Sequence, residues 1–271
     1  MGSSASDRYD LAESDLKSFT RSSIRTKVMF ALMEKEMTAS ELEKIIAIRT
    51  STILHSIRDL MENNLVNKTA RGYSLTNVGR MQALMLDELV NTIITLNNYR
   101  DFWLGHDMSG IPLELQKKIG MLGMGEVLEG DRAEILKTQE YFISELKNSK
   151  EIYGVSPIIV PGYAEAISIA VGNGAKVSLV LTNTIFENIV REHDDVLQYL
   201  LNCGNFKLYR IDNDIKVAFT VTDNILSFGL FRLDGRYDIS SDLNCKGLEA
   251  RKWGMELFAY YLSMSEQVDA I

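Results

Sequence analysis

The chain has 271 residues and a formal net charge of −8, and 46% of its residues are hydrophobic. This composition is typical of a soluble globular protein, and the length predicts about two domains. No run of about 18 apolar residues is present, which excludes a membrane-spanning helix. The first residues, MGSSASDRYDLAESDLKS, lack the apolar core of a signal peptide, so we expect a cytoplasmic protein without a membrane partner.

Positive charge is concentrated in one part of the chain. Residues 16–82 contain eleven Lys and Arg against six Asp and Glu, whereas residues 83–271 contain seventeen against twenty-seven. The first fifteen residues contain one against four. We therefore expect an acidic tail over residues 1–21, followed by a small basic unit with an anionic partner.

Residues 22–80 predict three helices followed by a β-hairpin. Thr38 begins a Thr-x-x-Glu capping box at the start of the second helix, and the third helix is predicted over about residues 50–63. LVNKTARGYSLT then predicts a strand, a turn with Gly72 at its tip, and a second strand. This order is typical of a winged helix-turn-helix domain, whose partner is double-stranded DNA.

The outer face of the third helix carries short hydroxyl groups, where the base edges of a major groove would lie. Cations on the helix and the hairpin would meet phosphates. The predicted DNA-binding residues are Thr38, Arg49, Thr50, Ser51, Thr52, His55, Ser56, Arg58, Lys68, Arg71 and Tyr73. A winged helix that serves protein contacts alone is the alternative.

The same unit resembles a known group of regulators. TSTILHSIRDLMENNLV followed by GYSLTNVGR is similar to the recognition helix and wing of ArsR- and MarR-like regulators, whose wing commonly ends in Tyr-x-Leu-Thr-x-x-Gly. The resemblance implies that this unit binds DNA.

A single helix is predicted from Asn77 to about Leu104, within a connector that we assign to residues 81–130. One apolar stripe runs along it. A winged-helix domain on its own does not require an apolar helix of this length. The stripe consists of Met85, Leu89, Ile93 and Leu96. Because two-fold proteins match two-fold operators, the stripe favours a homodimer.

His106 stands beside Asp107 where Gly105 and Pro112 break the connector. A catalytic role for this pair competes with a role in a hinge or in packing. We favour the second interpretation, because no second histidine is near and no nucleophile stands at a defined spacing.

Residues 131–271 alternate predicted helices and strands, which indicates an α/β domain with a sheet covered on both faces. The strand order resembles the phospholipase D-like fold, whose catalytic motif is H-x-K-x-x-x-x-D. KVAFTVTD matches that motif only at Asp223, because Lys216 and Ala218 replace the histidine and the lysine. We therefore predict no enzyme and no cofactor. A degenerate phosphodiesterase tethered to DNA is the alternative.

A signal site is predicted in the same domain, since ligands of open α/β sheets lie beyond the carboxyl ends of strands. The predicted ligand-binding residues for a small-molecule effector are Ser156, Tyr163, Thr182, Thr222, Asp223, Phe228 and Phe231. The alternative is that Ser156 and Thr182 cap helices and that the aromatic side chains belong to the core.

Five segments resemble, in order, the archaeal winged-helix regulators with a methanogenesis-regulatory (Fil-type) C-terminal domain. They are FWLGHDMSGIP, YGVSPI, VLTNTIFENI, AFTVTDNILSFGLFRLDGRYD and ARKWGMELFAYYL. The resemblance covers about residues 22–263 and implies a transcription regulator whose C-terminal domain receives a signal.

The two cysteines, Cys203 and Cys245, lack the spacing of a metal site. Reduced thiols are the expectation for a cytoplasmic protein, and a redox-sensing pair is the alternative. Cys245 stands where the family pattern leads us to expect a small polar residue, which leaves a thiol-based signal open.

Overall fold

The computed structural model describes residues 4–129, 140, 142–212 and 214–271. It divides into two compact units, Met1–Val90 and Asn91–Ile271. The fold is mixed α+β, with most of its strands in one large sheet. None of the helices in the described residues is long and apolar enough to cross a membrane.

The first unit is mainly helical. Its elements are α1 (Ala5–Thr20), α2 (Ser23–Glu34), α3 (Ala39–Ile46), α4 (Thr50–Glu62), β1 (Val66–Lys68), β2 (Tyr73–Leu75) and the first part of α5 (Asn77–Asn98). The three helices and the hairpin predicted over residues 22–80 are present in the predicted order. Most of the predicted acidic tail forms α1, because the Ser4 hydroxyl caps this helix by accepting a hydrogen bond from the Asp7 N–H at 3.1 Å.

A small apolar core joins α2, α3 and α4, and Val28, Leu42 and Ile53 are fully buried in it. The predicted capping box begins α3. The Thr38 hydroxyl accepts from the Glu41 N–H at 3.3 Å, and the Glu41 carboxylate accepts from the Thr38 N–H at 2.7 Å. These local hydrogen bonds fix where α3 starts, and so help to orient α4 after it.

The connector helix is interrupted. α5 ends at Asn98, and α6 (Arg100–Gly105) follows after Tyr99, whose φ of −118° and ψ of 33° are not helical. The prediction of one helix from Asn77 to about Leu104 was therefore wrong. The break accompanies burial of the Tyr99 ring in the core of the second unit, where its hydroxyl donates to the Gly123 carbonyl at 3.2 Å.

The second unit contains the remaining elements. They are α6, α7 (Leu113–Gln116), β3 (Gly125–Glu129), α8 (residues 142–148), β4 (Glu151–Ser156), α9 (Tyr163–Gly172), β5 (Lys176–Thr182), α10 (Asn183–Leu201), β6 (Phe206–Ile211), β7 (Val217–Thr222), β8 (Ile225–Phe231), β9 (Tyr237–Lys246), α11 (Leu248–Leu262) and β10 (Glu266–Val268). The sequence pattern predicts a helix over residues 131–150, and the part of it before α8 lies largely outside the described residues.

Eight strands form one sheet in the order β10-β6-β5-β4-β7-β8-β9-β3. β4, β5 and β6 are parallel, as expected for strands joined by the crossover helices α9 and α10. β7 runs antiparallel to β4, and β8, β9 and β3 continue antiparallel from it. The sheet is therefore mixed rather than parallel throughout.

Side chains alternate between the two faces of this sheet. Along β4, Ile152 belongs to one buried cluster and Val155 to the other. α11 covers the Val155 side through Trp253, whereas α9 and α10 cover the Ile152 side through Ile167 and Leu197. Both faces are thus covered, as predicted from the apolar strands.

Candidate functional site

The first turns of α4 present an exposed polar face. Ser51, Thr52 and His55 are exposed, whereas Ile53 and Ile57 on the other side are buried. Because one side of the helix is fixed in the core, the exposed side is held in one orientation. This face corresponds to the predicted base-reading surface.

An acidic residue on α4 has one polar neighbour on its own helix and one cationic neighbour on α2. The His55 Nδ1 lies 3.3 Å from the Asp59 Oδ1, and the Arg25 Nη1 from α2 lies 3.5 Å from the Asp59 Oδ2. Because Arg25 is cationic, the Asp59 charge is less repulsive toward an anion than the sequence alone implies. Sequence reasoning did not identify Arg25, because its partner lies on a different helix.

The hairpin tip is built around Gly72, as predicted. The Thr69 hydroxyl accepts from the N–H groups of Arg71 and Gly72 at 3.2 and 3.1 Å. Gly72 has a φ of 150°, and a Cβ there would collide with the Met37 carbonyl group. The tip is thereby fixed, and it presents the exposed Arg71 to solvent.

Four cationic residues lie close to the polar face in the sequence, and all four are exposed in the structure. They are Arg49, Arg58, Lys68 and Arg71. Within the described residues, none of the four lies at ion-pair distance from a carboxylate. Their charge is therefore available to an anionic partner.

Other predicted DNA-binding residues are used inside the unit. Ser56 is only 6% exposed, because it sits on the flank of the apolar face of α4, so its assignment to the DNA-binding set was wrong. Tyr73 is half-buried against the core, and its backbone pairs with Met37. The Thr50 hydroxyl donates to the Glu43 carboxylate. Thr38 is exposed, but its hydroxyl is used in the capping box of α3.

The predicted dimerisation stripe lies on the surface of α5. Met85 is 70% exposed, and the other three members are between 43% and 49% exposed. Each is a large apolar side chain that no other part of the described chain fully covers. An apolar surface of this kind is a candidate for contact with a second molecule.

The predicted ligand-binding residues do not form one site, because β7 runs antiparallel to β4. The carboxyl end of β7 therefore lies at the edge where β4 begins. There the Asp223 Oδ1 accepts from the N–H groups of Lys150 and Glu151 at 2.9 and 3.4 Å. Thr222 is buried, and its hydroxyl accepts from the Ile225 N–H at 3.1 Å. The prediction that Thr222 and Asp223 share a pocket with Ser156 was wrong.

Two predicted aromatic residues are also separate from that edge. Phe228 is fully buried and packs edge-on against Trp253, with ring centroids 5.6 Å apart. Phe231 packs against Tyr237, and the Lys216 Nζ lies 5.3 Å from the centroid of its ring. Phe228 is therefore part of the core, as the alternative interpretation had it.

The remaining residues of that set lie near the carboxyl ends of β4 and β5. Ser156 and Tyr163 line a cavity of about 160 Å³ between the sheet, α9 and α10. Thr182 is the N-cap residue of α10, but its side chain makes no capping hydrogen bond. Only part of the predicted signal site is thus next to a cavity.

His106 belongs to a polar cluster of the second unit, which we call the Asp238 cluster and which consists of His106, Arg232, Asp238 and Ser240. The His106 Nε2 lies 3.3 Å from the Asp238 Oδ2, and the Arg232 Nε donates to the same oxygen at 2.7 Å. Burial disfavours the Asp238 carboxylate, but the hydrogen bonds from Arg232 and Ser240 outweigh it and lower its pKa to about 2. Hydrogen bonds thus join Arg232, Asp238 and Ser240, whereas the buried His106 Nε2 lies close to Asp238 without forming a hydrogen bond.

Neither thiol is placed for signalling with the other. Cys245 is fully buried in the cluster that contains Trp253, and burial raises the pKa of its thiol to about 12. Cys203 packs against the cluster on the opposite face of the sheet. The two sulfur atoms are therefore separated by the sheet.

These features define a mixed α+β protein with a small helical unit, which carries an exposed polar helix and a basic hairpin, and a unit built on a large sheet. Models of the N-terminal domain and the middle domain of the methanogenesis regulatory protein FilR1 match residues 13–94 and 135–264. The chain belongs to the FilR1 family.

One relative within that family is the Methanogenesis regulatory protein FilR1 of Methanothrix harundinacea (strain 6Ac). The two proteins are 33% identical over 259 residues, which is 94% of this chain and 58% of the relative. The chain thus spans somewhat more than half the length of this relative.

Two solved structures are distantly similar. TrmBL2, an archaeal chromatin protein, is 18% identical with a TM-score of 0.44, and the match covers 90% of this chain and 92% of that one. The phospholipase D family member Nuc from Salmonella typhimurium is 14% identical with a TM-score of 0.42, over 54% of this chain and 99% of that one. Both scores lie below 0.5, so neither likeness defines the fold of this chain.

Proposed function

We propose that the chain is a DNA-binding transcription regulator that acts as a homodimer. In this proposal residues 22–80 are a winged helix-turn-helix, residues 81–130 connect and dimerise it, and residues 131–271 receive the signal of a small-molecule effector. Membership of a regulatory protein family supports the regulatory role. The observation that carries DNA binding is the exposed polar face of α4, in a unit that also exposes four cations without a carboxylate partner among the described residues.

The dimensions of α4 fit a DNA groove. Its 13 residues give a length of about 20 Å, and the major groove, about 12 Å wide, admits one helix. Ser51 and Thr52 are short, so the helix backbone can approach base edges closely. Arg71 on the hairpin would then meet the sugar-phosphate backbone.

The small number of base pairs that one helix can read favours a dimer. One recognition helix reads only a few base pairs, and a two-fold protein reads two half-sites at once. The exposed stripe on α5 supplies the apolar surface for this contact. A charge placed in the stripe would have to be buried between chains at high cost.

Salt-dependent binding tests the proposal. Arg71→Ala should weaken binding to every DNA sequence and reduce the slope of log affinity against log salt by about one, because one phosphate contact is lost. Lys207→Ala is the matched control, since it removes one exposed cation from β6 in the second unit. Wild-type affinity and slope in the Arg71 variant would exclude the hairpin from the interface. Failure of the wild-type chain to bind DNA at low salt would overturn the proposed function.

A further inference from the structure

The cavity between α9, α10 and the sheet has a mostly apolar wall. Ile167, Leu179, Ile185 and Leu197 are buried side chains of one core cluster, and all four line it. Its volume is about 160 Å³. An engineered apolar cavity of about 150 Å³ in another protein stays dry and binds benzene, so a space of this size and lining suits about six carbon atoms.

Three polar side chains of the wall, away from the exposed rim, already have partners inside the chain. The Ser156 hydroxyl donates to the Ile158 carbonyl at 2.7 Å, and the Tyr163 hydroxyl lies 3.2 Å from the Thr220 hydroxyl. The Asn188 Oδ1 accepts from the Arg191 guanidinium at 2.5 Å. A guest inside the cavity therefore has few hydrogen bonds to gain from these groups, and burial of its apolar surface must supply its affinity.

One border of the cavity coincides with an irregularity in α10. His193 lines the cavity and has a φ of −143° and a ψ of 39°, which interrupts the helix. Its neighbour Glu192 and the loop residue Ile159 also line the cavity and are exposed. Polar groups thus occur where the cavity meets solvent, whereas the interior is apolar.

We propose that this cavity binds the apolar part of a small ligand, an alkyl or aryl group of about six carbon atoms, with the polar end of the ligand directed to the exposed rim at Glu192 and His193. The role of the cavity as the effector site of the regulator rests on the proposed function. The binding itself is independent of DNA.

The test measures the melting temperature of the full chain, without DNA, against rising concentrations of benzene. Wild-type protein should show an increase of about 3–6 °C at ten times the dissociation constant, which continues to grow with the logarithm of the benzene concentration, because the guest binds only the folded state. In a second measurement, the affinities of n-alkanols should rise about four-fold for each added methylene and level off near six carbons, where the cavity is full.

Filling the cavity provides the decisive control. Ala164 lines it, and Ala164→Phe should remove the response to benzene. Ile169→Phe introduces the same side chain on α9 at a position that is 38% exposed and outside the cavity wall, so its response should match the wild type. Val196→Phe replaces Ala164→Phe if that variant does not fold, because Val196 also lines the cavity.

Two outcomes would overturn the inference. They are the absence of a rise in the melting temperature of the wild type with benzene, and an equal rise in the filled variant. Both experiments are done without DNA, so a chain that binds benzene but no DNA would refute the proposed function alone. A chain that binds DNA but no apolar guest would refute this inference alone.

Discussion

The exposed face of α4 and the Asp238 cluster use polar side chains in opposite ways. On α4, Ser51 and Thr52 project from the surface, and the nearby cations have no carboxylate partner among the described residues. In the Asp238 cluster, one buried carboxylate accepts hydrogen bonds from both Arg232 and Ser240. Polar groups that the chain satisfies itself are expected to support stability, and those it leaves exposed are expected to serve a partner.

The same distinction applies to apolar side chains. Trp253 is completely buried, and its indole N–H donates to the Leu115 carbonyl at 2.9 Å. Leu89 on α5 is 48% exposed. Substitutions at internal positions should therefore change the free energy of unfolding, whereas substitutions at exposed positions should change association.

The largest effect is expected for Leu89→Asp. A carboxylate in the proposed seam would have to be desolvated between two chains, so the variant should be monomeric. Loss of one half-site should weaken operator binding by about 100-fold or more. Sedimentation velocity and operator titration measure the two effects.

Ile94→Asp is the matched control for the seam. Ile94 is 42% exposed but lies on the opposite side of α5 from the stripe, so this variant should remain dimeric. A Leu89→Asp variant that sediments as a dimer would show that the stripe is not the interface.

Asp238→Asn should lower the free energy of unfolding without changing the affinity for DNA. The substitution keeps the shape but removes the charge that Arg232 and His106 face. We expect a loss of about 2–3 kcal/mol in the free energy of unfolding, below the range for fully buried pairs because the Arg232 side chain is 53% exposed. Urea unfolding gives this value. Asp234→Asn, in the exposed turn before β9, should be neutral. A large effect of Asp238→Asn on operator affinity with normal stability would contradict the assignment of the Asp238 cluster to stability rather than to DNA binding.

Substitution of Thr52 and His55 by alanine should weaken operator binding without changing the stability of the fold. Operator binding should weaken by about 1–3 kcal/mol for each lost base contact, with stability unchanged because both side chains are exposed. An operator found by genome-wide footprinting and a random duplex are titrated in parallel. Equal discrimination between the two duplexes by the variant and the wild type would remove both residues from the reading surface.

The elements of the first unit could be predicted because their signals are local. A capping box at Thr38 and a glycine at position 72 depend on residues a few positions away, and the structure contains both features. The burial of Ser56 could not be read in the same way. It lies on the border of the apolar face, and the packing of neighbouring helices decides whether a small side chain there is covered.

The sheet of the second unit was harder to predict for two reasons. The sequence pattern predicts no strand over residues 237–246, where β9 lies, because Asp238 and Ser241 are buried on this strand and its apolar periodicity is weak. The direction of β7 was missed because the chain passes from β6 over β5 and β4 before β7 pairs. That pairing depends on contacts distant in sequence, and it separated Asp223 from Ser156.

The smallest expected effect concerns pH and Asp242. Burial raises the pKa of Asp242 to about 6, although a hydrogen bond from the Tyr237 hydroxyl opposes the change. Because this pKa lies above the ordinary 3.8, the folded state holds the proton more tightly than the unfolded state. The contribution of Asp242 to stability is therefore complete below about pH 4 and is lost as pH rises through about 6. The pKa of Asp238 is lowered to about 2, so its own contribution is lost only as pH falls below this window.

Asp242→Asn should remove that pH dependence. We expect the variant to match the wild type near pH 4 and to be more stable near pH 7 by on the order of 1 kcal/mol, because asparagine carries no charge to bury. Urea unfolding of both proteins at several values between pH 4 and 7 measures the difference. If Asp242→Asn were instead less stable than the wild type at pH 7, the ionised carboxylate would be a stabilising member of the neighbouring cluster. Asp242 would then belong with the internally satisfied groups, and the boundary of the Asp238 cluster would have to include it.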